Sequence, residues 1–366
     1  MKTKEINEFI RTNPKMPDDE IAKRCGISPQ GVRNRKTRLG IGRTFTDQVD
    51  DEKSKIIRKQ EKQSRQKEAR EQARFELLLD TLKTAITPLE FTQPKVNLPK
   101  HNGGDEEEAC LLLSDLHFGK KTETYDLEIA AKRFQKVVDG VLSITHLHQN
   151  AYPIKKLHIF WNGDIVDGEC LFPNHAHQVD DHVVNQIYGS MPHVVGQLSR
   201  LASIFEVHNH CVRGNHGRVR QEAHFNANWD NVFYQSLKLA TANIPNMTWD
   251  IPLGWQQIVE VNKTKILQVH GHQIKMQLNL PWYGITTRVS RWATSQGLGG
   301  FDVATLGHFH SSSNLRWGNR KIFTNGTTVS GDEFALEFMG LESSEMQWLF
   351  GVHPRKKVTW QYEIRP

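Results

Sequence analysis

Followed from its first residue, the pattern of apolar and polar positions changes character twice. Ile6, Phe9 and Ile10, spaced i, i+3, i+4, predict an opening helix. Asp18, Asp19 and Glu20 sit where a helix N-terminus favours negative charge. Ile21, Ala22 and Cys25 then make one apolar face, and Gly26 ends the helix. Ser28 caps a third helix with Pro29 at its first position, Val32 and Leu39 on one face, and Gly40 as its stop. From about 47 to 84 the chain is built of Lys, Arg, Glu and Gln without Gly or Pro. No apolar seam is sustained before Leu77, Leu78, Leu79 and Leu82, which predicts a solvated helical linker rather than a coiled coil. The prolines and glycines of TPLEFTQPKVNLPKHNGG break the pattern and mark a domain boundary.

Past 108 a different arrangement recurs. An apolar run, read as a strand, stops on a short cluster of Asp, Asn or His. CLLLSDLHFG ends on Asp115 and His117, which an extended backbone would point to one side. KLHIFWNGDIVDG ends on Asp164 and Asp167, FEVHNHCVRGNHGR on Asn215 and His216, KILQVHGH on His270 and His272, and DVATLGHFH on His308 and His310. Glycine accompanies each cluster, as expected where backbone turns sharply or approaches a ligand. In open α/β sheets ligands gather beyond the carboxyl ends of the strands, so five such clusters converge on one crevice. The segment after 330 reads as a helix and then strands that complete the fold.

Charge sharpens the division near 100. Residues 1–100 hold 23 Lys and Arg against 15 Asp and Glu and no histidine; the remainder holds 24 against 26 and all 18 histidines. The basic front implies a polyanionic partner, the histidine-rich back a metal. Cys25, Cys110, Cys170 and Cys211 form no CxxC pair and are read as reduced thiols. No stretch approaches the roughly 20 apolar residues of a membrane span, and MKTKEINEFI lacks a secretory core, so the expectation is a cytoplasmic protein with no membrane partner. The pattern allows a homodimer.

Three short helices with a tight turn between the last two follow the helix-turn-helix plan. The third would carry Gln30, Arg33, Asn34, Arg35, Lys36 and Arg38, and residues 21–43 contain seven basic residues and no acidic one. Such a helix suits a major groove, with Arg and Lys on phosphates and Gln30, Arg33 or Asn34 at base edges. A solvated basic face on a small bundle is the alternative. The chain thus divides into a DNA-binding module over 1–45, a charged helical linker over 46–105 and an α/β domain over 106–366.

The crevice holds carboxylates, imidazoles and an Asn carboxamide but no thiolate. That mix suits a pair of divalent ions, manganese first and iron or zinc as alternatives. With Asp164 as a bridge the site would keep residual positive charge, attract a phosphate and hold a deprotonated water in line for attack.

The ordered set DLH, GDIVD, GNHG, VHGH and GHFH resembles the signature of the calcineurin-like metallophosphoesterase superfamily, over about 110–330. The resemblance implies a four-layer β-sandwich flanked by helices, with a two-metal site at its edge. It implies Asp115, His117, Asp164 and His310 as ligands of one ion, and Asp164, Asn215, His270 and His308 as ligands of the other. It makes His216 a general acid or phosphoryl-oxygen stabiliser and Asp167 the carboxylate that orients it. Arg213, Arg218 and His272 become substrate-binding candidates. His175, His177, His182, His208, His210 and His224 match no ligand position and are read as rim or structural residues.

The motifs define the chemistry better than the substrate. A tethered DNA-binding module favours a DNA phosphodiesterase, and GHFH is similar to the repair-exonuclease branch; the overall organisation resembles metallophosphoesterases of phages and mobile elements. A phosphomonoesterase acting on nucleotides and a DNA-binding regulator with a vestigial phosphoesterase fold are the alternatives.

Overall fold

The computed structural model describes residues 2–41, 45–85, 105–173, 175–220, 227–276, 281–295, 300–331 and 345–366. They fall into two compact units divided between Arg74 and Phe75. The first contains α1 (Thr3–Thr12), α2 (Asp18–Cys25) and α3 (Pro29–Leu39). Their apolar stripes meet in a core of Ile6, Ile10, Ile21, Ala22, Cys25 and Val32. Ser28 accepts the Gly31 N–H at 3.1 Å, and Gly26 and Gly40 stop their helices in the left-handed conformation. Helix α4 (Phe45–Ala85) is exposed along most of its length. Its last turns belong to the second unit, where Leu82 is buried and Phe75, Leu78 and Leu79 pack on the main core.

The second unit is a mixed α/β fold with two sheets. Strands β1 (Glu107–Leu113), β2 (Ile154–Trp161), β3 (Glu206–Cys211) and β4 (Met247–Asp250) run parallel. They are joined at β1 by the antiparallel pair β10 (Gln347–His353) and β11 (Lys357–Ile364), giving the order β11-β10-β1-β2-β3-β4. The C-terminal strands therefore complete the first sheet, whereas the helix expected after 330 falls on residues outside those described. The second sheet has the order β5-β6-β7-β9-β8, from β5 (Gln256–Val261), β6 (Thr264–Val269), β7 (Val303–Leu306), β8 (Ser313–Trp317) and β9 (Arg320–Thr324).

Alternation along the strands builds four layers. Cys110, Leu112, Phe160, Phe350, Ile266, Val303 and Phe323 fill the space between the sheets, with the Phe323 and Phe350 rings stacked at 4.7 Å. Each such side chain contributes roughly 1.5–3 kcal/mol of burial. The alternate residues of β1, β2 and β3 face α5 (Leu127–His148), α6 (Val183–Ala202) and α7 (Trp229–Ala240). On the far side α8 (Pro281–Thr294) covers the second sheet through Ile285, Val289 and Trp292. Strands buried on both faces need continuous apolar runs, which is the pattern of LLL in β1 and IFW in β2. No helix among the described residues is long and apolar enough to cross a membrane.

Candidate metal centre

The carboxyl ends of β1, β2 and β3 in one sheet and of β6 and β7 in the other deliver the five polar clusters to one place. Asp115 and His117 do not continue β1 in an extended backbone, as the sequence pattern suggests. The strand ends at Leu113, and both residues have positive φ, 54° and 45°. Asp164, His308 and His310 share the left-handed conformation, with φ of 52°, 72° and 48°. For residues with a Cβ this costs about 1–2 kcal/mol each. The turn is imposed by close packing: Asp115 N–H bonds to the Gly163 carbonyl at 3.1 Å and His117 N–H to the Asp164 carbonyl at 3.0 Å. Five of the eight non-glycine residues of positive φ among those described lie in this crevice, so the strain is local to it.

Asp115, His117 and His310 form one donor set. His310 Nε2 lies 3.4 Å from Asp115 Oδ1 and 3.1 Å from His117 Nε2. His117 Nδ1 donates to Asp167 Oδ1 at 2.8 Å, so in the neutral ring Nε2 carries the lone pair and faces the set. Burial first, then His216, lowers the His117 pKa and keeps the ring neutral.

Asp164, His270 and His308 form the second set. His270 Nδ1 donates to the Asn162 carbonyl at 2.7 Å. Its Nε2 then points at two oxygens, Asp164 Oδ2 and the Asn215 carboxamide oxygen, each at 3.0 Å. A lone pair facing two oxygens is repulsive unless a cation lies among them. A proton satisfies that demand in the metal-free chain: burial opposes the charge, but Asp164 outweighs it and His270 is raised to about 9. A divalent ion satisfies it better, and the donor chemistry of both sets fits borderline divalent cations. His308, lowered to about 3 by burial and by His270, is neutral and available as a ligand.

Asp167 joins the first set to the rest of the crevice. Its Oδ1 accepts from His117 and, at 3.0 Å, from His216 Nδ1; its Oδ2 accepts from His175 Nε2 at 2.9 Å. Burial alone would raise this carboxyl, but the bonds to His117, His175 and His216 hold it well below the usual carboxylate range. His216 moves the other way. Burial opposes its charge, yet Asp164 and then Asp167 raise it above its ordinary value. His175, read from sequence as rim or structural, is fully buried and completes the clasp on Asp167. Leu171 N–H bonds to its Nδ1 at 3.2 Å, which leaves Nε2 to carry the proton. Only its place eight residues after Asp167, in the loop before α6, signals this role.

Asp230, in the first turn of α7, is the other residue the sequence did not mark. Its carboxyl accepts the N–H groups of Asp164 and Ile165 at 3.0 Å, Val166 at 3.3 Å and Gly214 at 2.8 Å. It thereby ties the loop after β2 to the loop after β3. Burial, then Asp164, push it up to about 6 against those four donors. The two loops also touch directly: a Cβ on Gly163 would strike the Gly214 backbone, so the GD and GN motifs each need their glycine.

The remaining candidates lie at the margin. His272 sits 5.5 Å from the His270 ring, centroid to centroid, and is lowered to about 3 by burial, by His270 and by Arg218 and Arg213. Arg213 donates to the Leu253 carbonyl at 2.9 Å. His208 and His210 lie on β3 near His158, with His158 Nδ1 3.0 Å from His210 Nε2. His177 and His182 are exposed, and His224 lies outside the described residues. In the first unit Gln30, Arg33, Asn34 and Arg38 share the exposed side of α3. Arg35 and Lys36 instead turn inward: Arg35 bonds to Asn7 at 3.0 Å, and Lys36 to the Met16 carbonyl and Asp18, each at 2.9 Å.

No family model and no curated protein matches the chain. Solved structures of similar fold include a predicted phosphoesterase from Streptococcus pneumoniae TIGR4, at 13% identity over 71% of this chain and 99% of that one, with TM-score 0.30. A novel archaeal phosphodiesterase aligns at 11% identity over 70% and 99%, with TM-score 0.32. Vps29 complexed with zinc from Entamoeba histolytica aligns at 10% identity over 70% and 99%, with TM-score 0.29. Likenesses this distant leave the reading of the crevice to its own geometry.

Proposed function

We propose that the chain is a metal-dependent phosphodiesterase acting on DNA. The observation that carries the reading is the pair of adjoining donor sets at the strand ends, with His270 Nε2 held 3.0 Å from both the Asp164 and the Asn215 oxygens, where a divalent ion could replace its proton. Asp115, His117 and His310 would hold one divalent ion, and Asn215, His270 and His308 the other. Asp164, whose carboxyl interacts with both His270 and His117, would lie between them. Two ions held there would supply Lewis-acid charge for a phosphate and lower the pKa of water near neutrality. The order of the five motifs supports the same assignment, through its resemblance to the calcineurin-like metallophosphoesterases. Manganese fits this set of oxygen and nitrogen donors, with iron and zinc as rivals.

The chain's own groups supply the rest. His216, whose pKa is raised by Asp164 and Asp167 against the opposing effect of burial, is placed to give a proton to a leaving alkoxide. Asp167 fixes the ring so that Nδ1 is turned inward and Nε2 is free to meet substrate. Arg213, Arg218 and His272 edge the crevice where a phosphate would enter.

DNA is the favoured polymer because α3 presents Gln30, Arg33, Asn34 and Arg38 on one exposed side, as a groove-reading helix does. The test is degradation of linear duplex and single-stranded DNA with added manganese, beside an Asp164→Asn control. Release of nucleotides or fragments by the native chain alone supports the reading. Release of phosphate from small monoesters with no effect on polymers replaces it with the phosphomonoesterase, and inertness toward both replaces it with the regulator.

A further inference from the structure

The second sheet and its helix carry a charge that the half-chain total conceals. Residues 261–331 hold eight Lys and Arg and a single acidic residue, Asp302, which is itself paired with Lys357 at 2.6 Å. Helix α8 lies in this stretch and contains no acidic residue. Its solvent side bears Tyr283, Thr287 and Arg291, at i, i+4 and i+8. Trp317, at the end of β8, leans on the same side, its indole N–H bonded to Ser290 Oγ at 2.7 Å. Tyr283 and Trp317 are 57% and 49% exposed, large fractions for aromatic rings with no partner to cover them among the described residues. Arg291 and Lys275, both exposed, have no carboxylate partner among the described residues.

This surface starts at the crevice. A Cβ on Gly284 would meet the Lys275 carbonyl, so the first turn of α8 rests on the loop that follows His272. Arg288 reaches back to the Gln273 carbonyl at 3.3 Å, and Gln273 contacts His272 at 3.2 Å. From Tyr283 to Arg291 the helix runs about 12 Å.

We infer that this side of α8, with Trp317, is a docking track for single-stranded nucleic acid leading to the metal centre. Unpaired bases offer π faces to exposed Tyr and Trp rings, and the strand's phosphates meet Arg291 and Lys275. A duplex keeps its bases stacked inside and gains nothing from the rings. The track deepens the DNA phosphodiesterase reading by naming the form of its substrate, and its test is kept apart from hydrolysis.

Binding of a fluorescent phosphorothioate oligodeoxythymidylate of about 16 nucleotides, which resists cleavage, is measured by anisotropy. The protein is the full chain with manganese, carrying Arg33→Ala and Arg38→Ala to reduce binding by α3. Tyr283→Ala and Trp317→Ala are each expected to weaken binding at least about fivefold, while Tyr283→Phe, which keeps the ring, retains it. Affinity for a hairpin duplex should move less than twofold in the same variants. Unchanged single-strand affinity, equal losses for duplex and single strand, or displacement by polyglutamate as readily as by unlabelled strand would each overturn the track. Because no cleavage is read, a chain that binds this way but cuts nothing would sink the hydrolase assignment and leave the track standing.

Discussion

Asp230 holds the backbone of Asp164: its Oδ2 accepts the Asp164 N–H at 3.0 Å and the Gly214 N–H at 2.8 Å, joining two loops through one carboxyl. Asparagine at 230 has one oxygen for four N–H donors and turns its own amide hydrogens toward the others. With one or two buried donors left unpaired at about 1–3 kcal/mol each, Asp230→Asn should lose about 2–4 kcal/mol in urea titration. Metal affinity, read by calorimetry, should fall about 10–100-fold, although residue 230 touches no cation in the proposed scheme.

Asp164→Asn removes the charge between the donor sets but keeps a side chain that tolerates the left-handed backbone. The expected result is retained folding by circular dichroism, loss of at least one tightly held metal by elemental analysis, and a fall in diester turnover of about a thousandfold or more. That magnitude is what loss of metal-supplied nucleophile activation and charge stabilisation together imply. Unchanged metal content would contradict the placement of Asp164 between two ions.

His216→Gln should leave metal content intact and lower kcat by about 10²–10⁴. The native profile should decline on the alkaline side, because His216 must be protonated to act and its pKa stands above the ordinary 6.5. The variant should lose that limb. Substrates whose leaving group needs no proton, such as a nitrophenyl diester, should be spared most of the loss.

In the metal-free chain His270 holds a proton up to about pH 9, supplied by its position beside Asp164 and Asn215. A cation bound there displaces it. Addition of manganese at pH 7.5 in weak buffer should therefore release a proton, read with a pH indicator, and apparent affinity should rise with pH until His270 titrates. His270→Ala should abolish that release.

Within the first unit, Arg33 and Lys36 should part company. Arg33→Ala should weaken DNA binding and reduce the slope of log affinity against log salt by about one. Lys36→Ala, which loses the bonds to Asp18 and the Met16 carbonyl, should instead lower the melting temperature of the helical unit.

The parts legible in the sequence were those written contiguously. Each apolar run and the polar cluster ending it occupy a dozen residues, so β1, β2, β3, β6 and β7 and the side chains gathered at their ends could be read together, whereas β4, β5, β8 and β9, which end in no such cluster, were not read. The caps at Ser28, Gly26 and Gly40 were equally local. Asp230 and His175 were not legible because their work is done at a distance: α7 must reach two loops, and the turn before α6 must fold back onto Asp167. The inward turn of Arg35 and Lys36 depends on where α1 and the start of α2 lie, which α3 by itself does not encode. The left-handed turn at Asp115 and His117 also arises from a neighbour, since Gly163 and Asp164 supply the carbonyls that bend the chain there.

Those mirror-handed turns govern how the crevice can be re-engineered. At 115, 117, 164, 308 and 310 the main chain screens a newcomer before its side chain does anything. Asparagine passes, so it subtracts only chemistry; valine or isoleucine would also wreck the bend that aims the neighbouring donor. A β-branched replacement at His308 would thus injure the protein twice over, and its phenotype could not be credited to the missing imidazole.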